Sequence, residues 1–529
     1  MKKIQIKLLG ISLLMMIGLF SSCTNELDQS PESSDTVPGE ELYSNPAAYK
    51  QTLAKLYAGF ATTGQEGPAG RADISGIDEG VSQYIRGYWM MQELTTDEAV
   101  IGWNDGSIKD FHSQTWATSD SFIFATYSRF SFQIVNCNEF LRQTTEDKLN
   151  SRGVDAAAKA EILGYRAEVR FLRALTYWHL IDTFGGGSLV TEDSPTSFYY
   201  PEYATRAQLY KFVDDELTAI TPELKAPKSN EAYRVDQVAA WMLQAKLYMN
   251  AKVYIGTDKY AEALPLINKI TASPYSLHNN YNQLFYADNN KNGAQNEFIF
   301  AVAFDGLRTQ TYGGTTFLTH APVGGTMKIA EFGINEGWGG IRTTSSFVNL
   351  FPTGNTDTRG RFWTDGQSKE INNISTFTDG YAVQKFKNIN VNGTSGSDGT
   401  GKYVDCDFPI FRLGDAYLMY AECAIRGAGD MSTATTLVNA LRTRANTTTV
   451  APSDLTLDFI LAERGRELHF EAQRRTDLIR FGKFSGGSYV WPWKGGVAPG
   501  APTQSFRNLF PIPAKAIGAN QNLIQNPGY

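Results

Sequence analysis

Asp78, Asp97 and Glu98 lie within a short reach of Trp103 in the chain. Two carboxylates about 5–9.5 Å apart across a glycosidic bond are what sugar hydrolysis requires, so these three are the hydrolytic candidates. Glu463, Glu467 and Glu471 in "ERGRELHFEAQRRTDLIRFG" are further candidate acids or bases. Their spacing to arginine favours a plainer use. Glu467 with Arg464, and Glu471 with Arg474 or Arg475, read as pairs on a helix surface. No nucleophile elbow, HExxH or Walker loop is present. The five His residues are scattered, with His179 and His469 inside helical patterns. The balance favours a chain that binds without catalysing.

Metal chemistry has one candidate. In "DNNKNG", Asp288, Asn290 and Asn292 alternate before Gly293, as at the start of an EF-hand loop. Ile299 stands where the bidentate Glu belongs, leaving Glu297 as the substitute. A structural calcium on Asp288, Asn290, Asn292 and Glu297 competes with an Asx-rich turn. No other cofactor is called for. Beyond Cys23, the cysteines Cys137, Cys406 and Cys423 are odd in number and widely spaced, so they suggest neither a disulfide framework nor a zinc site.

The stretch "TYGGTTFLTHAPVGGTMKIAEFGINEGWGG" sets Tyr312, Phe317, Phe332 and Trp338 among glycine, threonine and asparagine, with no helical or strand period. Sugars have C–H faces and hydroxyl rims, which aromatic faces and polar side chains respectively complement. Each stack contributes roughly 0.5–1.5 kcal/mol and each net hydrogen bond a similar amount, about 0.5–1.5 kcal/mol. Three stacks and a few such bonds give a Kd of roughly 10 μM to 1 mM. Trp338, between Gly337 and Gly339, is read as facing ligand. Phe317 and Phe332 are read as packing, and Trp116, Trp363, Trp491 and Trp493 as structural plugs. The net charge of -7 and the lack of a basic stripe argue against nucleic acid.

A mainly helical chain must position these groups. Lys2, Lys3 and Lys7, the apolar run 8–20 and Ser21-Ser22-Cys23 read as a lipoprotein signal peptide over 1–22, although Phe20 stands where Leu is usual. Cys23 would be lipidated, and 23–41, acidic with Pro31 and Pro38, would be a flexible tether. No later stretch is long and apolar enough to span a bilayer. Helical patterns follow at 47–60, 121–142, 159–184, 205–224, 234–251, 260–271, 413–426, 432–445 and 454–481. The third carries a stripe of Ile162, Leu163, Ala167, Phe171, Leu172, Ala174, Leu175 and Trp178 that ends at Gly185 to Gly187. Small residues at helix crossings suggest a tetratricopeptide-like α-α superhelix. Long loops at about 61–120, 272–412 and 482–529 are the functional candidates.

The lipoprotein cysteine, "RAEVRFLRALTYWHLIDTFGG", "FRLGDAYLMYAECAIRG", "ERGRELHFEAQRRTDLIRFG" and the ending "LFPIPAKAIGANQNLIQNPGY" occur in this order. Together they resemble the SusD/RagB family of outer-membrane glycan-binding lipoproteins over almost the whole chain. The resemblance implies one domain over 42–529, a lipid anchor at the bacterial cell surface, and a SusC-like TonB-dependent transporter as partner. The loops "GIDEGVSQYIRGYW", "ELTTDEAVIGW", "TYGGTTFL" and "INEGW" resemble those of a starch-binding member. This implies an arc of Trp103, Tyr312 and Trp338 for an α-1,4-glucan, with Asp78 and Arg86 as polar partners; the alternative cargo for the same architecture is another glycan or a peptide. Asn104 and Asp105 lie near the place of an asparagine contact, offset by a residue or two.

Overall fold

The computed structural model describes residues 39–529 except 65, 69–71, 353 and 355. The signal peptide and Cys23 lie outside the described residues, as does most of the tether; its end enters a short helix at Gly39–Leu42. The principal helices are α1 (Ala47–Ala58), α2 (Tyr84–Glu93), α3 (Ser121–Gln143), α4 (Ala156–Phe184), α5 (Arg206–Ile220), α6 (Gln237–Met249), α7 (Tyr260–Thr271), α8 (Gly314–His320), α9 (Leu413–Ile425), α10 (Met431–Arg444), α11 (Leu457–Leu468) and α12 (Arg474–Arg480). Side chains close their N-termini where the sequence supplies them. Asp120 accepts from Phe122 and Ile123 N–H, Asp155 from Ala158 N–H, and Thr205 forms a capping box with Gln208.

The helices stack in a chain of neighbours. α3 packs on α4, α4 on α5, α6 on α7, α7 on α9, and α9 on both α10 and α11. This is the mainly α, tetratricopeptide-like scaffold expected from the pattern. One core of buried residues extends from Tyr43 to Leu523 and includes the free thiols of Cys137, Cys406 and Cys423. The α4 stripe is buried except Leu163, which is 59% exposed. Gly185, at φ 75°, ends α4 in a conformation that favours glycine. Among the described residues no helix is long and apolar enough to cross a membrane.

Several expectations change. The stretch 61–120, read as loop, contains α2. Nine of its ten residues are buried, so it lacks the polar face that would reveal a helix. The single helix expected over 454–481 is two. Phe470 and Ala472 take φ of 61° and 59°, turning the chain between α11 and α12. Buried carboxylates receive the N–H groups freed there: Glu98 that of Phe470 at 3.0 Å, and Glu93 that of Gln473 at 2.9 Å.

The charged run on α11 and α12 is core, not surface, and its expected pairs do not form. Glu467 accepts from Arg359 (3.0 Å), Arg412 (2.6 Å) and Arg444. Glu471 binds Lys385 at 2.7 Å and Arg412 at 2.6 Å, and Glu463 binds Arg359, Arg442 and Arg466. Arg464 turns to Asp415 and Asp477, Arg474 to Asp97, and Arg475 to Asp182. Most of these partners come from distant segments that converge on α11 and α12. A buried carboxylate without them would carry a desolvation penalty of several kcal/mol.

Candidate functional site

Two short antiparallel strands, β1 (Val100–Ile101) and β2 (Ile341–Arg342), bring the loops carrying Trp103 and Trp338 side by side. The pairing continues past them, because Gly102 N–H donates to Gly340 C=O at 3.0 Å. Trp103 then lies beside the 338–340 backbone, and its indole Nε1 donates to Trp338 C=O at 3.1 Å. Gly340 permits this approach. A Cβ there would stand 2.6 Å from Trp103 Nε1 and 2.7 Å from its Cζ2. Gly337 likewise passes close to Val323, whereas Gly339 supplies a φ of 56°. These glycines allow close backbone approach as much as they let loops project.

α8 is the platform behind the rings. Its Phe317 is fully buried, as expected of a packing residue, and Trp103 meets that ring edge-on at 6.0 Å. The carbonyl of His320 receives Trp338 N–H at 2.9 Å, and the His320 ring stacks beneath Trp338 at 4.8 Å. Tyr312 enters from the turn before α8. Trp338 stands centrally, with Trp103 at 6.3 Å and 51° and Tyr312 at 6.5 Å and 55°. Tyr403 continues the series beyond Tyr312 at 5.9 Å and 50°. Neighbouring rings in this series are thus tilted rather than coplanar, as a curved surface requires and a flat one does not. Trp103, Tyr312 and Trp338 are each half-buried.

Gln83, which sequence reasoning missed, ties the polar residues to the rings. Its Oε1 caps α2 by accepting from Arg86 N–H (2.6 Å) and also receives Gly314 N–H (2.9 Å). Its Nε2 donates to the carbonyls of Phe60 and Ala61. The helix bearing Arg86 is thereby joined to the turn bearing Tyr312. The only available signal was a polar residue just before an unrecognised helix. Arg86 lies over Phe317 at 4.6 Å and donates to Gly80 C=O at 3.0 Å. Burial lowers its guanidinium to about 10, while the charges of Asp78 and Asp105 act in the opposite sense. Asp78 is exposed and accepts from Val81 N–H at 3.0 Å. Asn104 accepts from Lys109 Nζ at 2.5 Å, which occupies its side-chain carbonyl. Asp105 is exposed.

The hydrolytic candidates separate. Asp97 and Glu98 are buried. Asp97 accepts from Arg474 and from the Tyr489 hydroxyl, and Glu98 from the backbone. Asp78 alone of the three remains beside the arc. The calcium donor set also fails to assemble. Asp288 accepts from Asn292 Nδ2 and Val391 N–H, and Asn292 Oδ1 from Ala294 N–H. Glu297 is buried and bound to Arg412 and Arg444. Its carboxylate neutralises arginines, so the residues present do not fit the ion. Phe332 is buried in a small cluster of its own, and Trp116 and Trp491 are sealed in the core. Trp363 and Trp493 are half-buried, with their indole N–H groups bonded to Thr326 Oγ1 and Ile371 C=O.

A helical-repeat scaffold presenting tilted aromatic rings and a few polar groups on its loops is the plan of a carbohydrate-binding surface protein. The chain belongs to the SusD family: residues 353–529 match that family's sequence profile. It is 34% identical to the starch-binding protein SusD of Bacteroides thetaiotaomicron, with 96% of each chain covered. Among solved structures, a SusD superfamily protein from Bacteroides vulgatus superposes with a TM-score of 0.69 at 18% identity, covering 92% of this chain and 99% of the other. Surface glycan-binding protein A from Bacteroides thetaiotaomicron, solved with laminarihexaose, gives 0.67 at 20% identity, covering 91% and 99%.

Proposed function

We propose that this protein binds α-1,4-glucan chains at the bacterial cell surface without cleaving them and passes them to a SusC-like TonB-dependent transporter. The observation that carries the reading is the tilted series Trp103, Trp338 and Tyr312 on a chain 34% identical to a starch-binding protein. A wound glucan presents successive sugar faces at changing angles, which tilted rings follow better than coplanar ones. Asp78 and Arg86, with Asn104 and Asp105 at the rim, would take hydroxyls. Anchoring through a lipidated Cys23 at the outer membrane would hold the arc outside the cell, and weak affinity would let cargo move on. No structural calcium enters this reading.

Binding isotherms of the tether-free protein over a polysaccharide panel test the cargo. Maltooligosaccharide and starch should bind at roughly 10 μM to 1 mM. Failure of both while a β-1,3-glucan binds would overturn the α-glucan assignment. Incubation with labelled maltoheptaose should leave it intact, and accumulation of shorter products would refute the non-catalytic reading.

A further inference from the structure

We propose that Lys402 is a positioning residue of the arc, clamping Tyr312 against Tyr403 and giving the Tyr312 end a hydrogen-bond donor that orients the bound glucan; this rests on the glycan-binding reading of the arc. The ammonium lies 5.2 Å from the Tyr312 ring centre and 5.4 Å from that of Tyr403, and so bridges the two rings. Tyr403 is buried and fixed, whereas Lys402 is exposed and Tyr312 half-buried. The clamp therefore ties a half-buried ring to a buried one.

The backbone beneath Lys402 is rigidly held. The Asp398 carboxylate accepts from Thr400 N–H (2.9 Å), Thr400 Oγ1 (2.8 Å), Lys402 N–H (3.1 Å) and Tyr403 N–H (3.0 Å). Gly401, at φ 69°, accepts from Asn335 N–H at 3.0 Å, which joins this turn to the segment leading to Trp338. The backbone that carries Lys402 is therefore fixed beside two rings of the arc.

The groups acting on that charge are the phenols of Tyr312 and Tyr403. On Tyr312 the titratable groups are Lys402, Tyr403 and Glu336; hydrogen bonding to Lys402 dominates and lowers the phenol below its ordinary value. The Cβ end of Tyr312 has mixed character. A Cβ added to Gly80 would lie 3.7 Å from Tyr312 Cβ, 3.3 Å from Asp78 Oδ1 and 3.4 Å from Arg86 Nη1. A sugar over Tyr312 thus meets the Asp78 carboxylate together with the Arg86 guanidinium at the Cβ end of the ring, and the Lys402 ammonium, a donor only, on the Tyr403 side. A pyranose has different hydroxyls on its two edges, so this asymmetry favours one chain direction.

Lys402→Met keeps an aliphatic stem over the rings and removes the charge; Lys402→Arg retains it. Without ligand, the tyrosinate absorbance of each protein is titrated and compared with that of its Tyr312→Phe counterpart. The Tyr312 transition should lie below that of free tyrosine in wild type and Lys402→Arg, and should rise in Lys402→Met. Maltoheptaose affinity should fall roughly tenfold in Lys402→Met and less than about threefold in Lys402→Arg. An unmoved transition, or wild-type affinity in Lys402→Met, overturns the proposal. A wild-type protein that binds no maltoheptaose sinks the glucan reading instead, while the ligand-free titration still decides the clamp.

Discussion

Replacing Gly340 with alanine adds one methyl group to the backbone against which Trp103 lies. The residue is not in the left-handed region, so the backbone accepts alanine and the effect falls on the contact. The new Cβ would stand 2.6 Å from Trp103 Nε1 and 2.7 Å from Cζ2. Ordinary contact lies at about 3.5–4.0 Å, so the indole must retreat by roughly 1 Å. That shift breaks the 3.1 Å bond to Trp338 C=O, which otherwise fixes the ring's orientation. A bond of this kind contributes about 0.5–1.5 kcal/mol, and a misplaced stack forfeits part of a further ~0.5–1.5 kcal/mol. The bond is made with or without ligand, so its loss falls on stability, and the misplaced stack alone gives up to about 1.5 kcal/mol, or roughly a 2–10-fold loss of glucan affinity. Calorimetric titration with maltoheptaose measures it, with circular dichroism as the check on folding. The decisive comparison is a double-mutant cycle. In a Trp103→Ala background, Gly340→Ala should add no more than about 0.5 kcal/mol, because the ring it displaces is gone. Wild-type affinity in folded Gly340→Ala, or an equal loss in both backgrounds, would refute the reasoning.

Three further outcomes follow from the same contacts. Gln83→Ala removes four hydrogen bonds from a buried side chain, so stability in urea should drop by about 3 kcal/mol and maltoheptaose binding should weaken; unchanged binding would show that Gln83 does not position Tyr312. Burial tends to raise the Glu463 carboxyl, but Arg359, Arg466 and Arg442 override it and hold it down at about 2, so its contribution is complete above its ordinary 4.5 and disappears as pH falls through about 2. That contribution is about 3 kcal/mol. Thermal melts from neutral to acid pH should show Glu463→Gln already destabilised at neutrality, with a shallower acid decline than wild type, whereas parallel curves would contradict the assignment. The Asp78→Asn variant should lose affinity several-fold with little change in melting temperature, since Asp78 is exposed; a melting loss without a binding loss would make it a structural residue.

The helical scaffold was legible wherever a helix has one wet face. The pattern at 260–271 matches α7 at both ends, and 121–142 is within one residue of α3. α2 escaped because burial on nearly every side erased its period. The break at Phe470–Ala472 escaped because neither glycine nor proline marks it; Glu93 and Glu98, hundreds of positions away, satisfy the turn. The same non-locality misled the reading of charge. Glu467 looks like a surface pair with Arg464 when only neighbours are visible, yet it binds Arg359, Arg412 and Arg444. At the site, the family resemblance named Trp103, Tyr312 and Trp338 as a set, and the rings of Trp103 and Tyr312 lie 6.3 and 6.5 Å from that of Trp338. Gln83, Lys402 and Tyr403 were not legible, because their roles depend on which segments meet rather than on local composition.

The most direct test is a pair of maltoheptaose titrations of the tether-free protein, one with the wild type and one with the Trp103→Ala, Trp338→Ala double variant. Glucan capture at the arc predicts measurable binding by the first and none by the second, with both chains folded by circular dichroism. Retained affinity in the folded double variant would place the binding surface elsewhere.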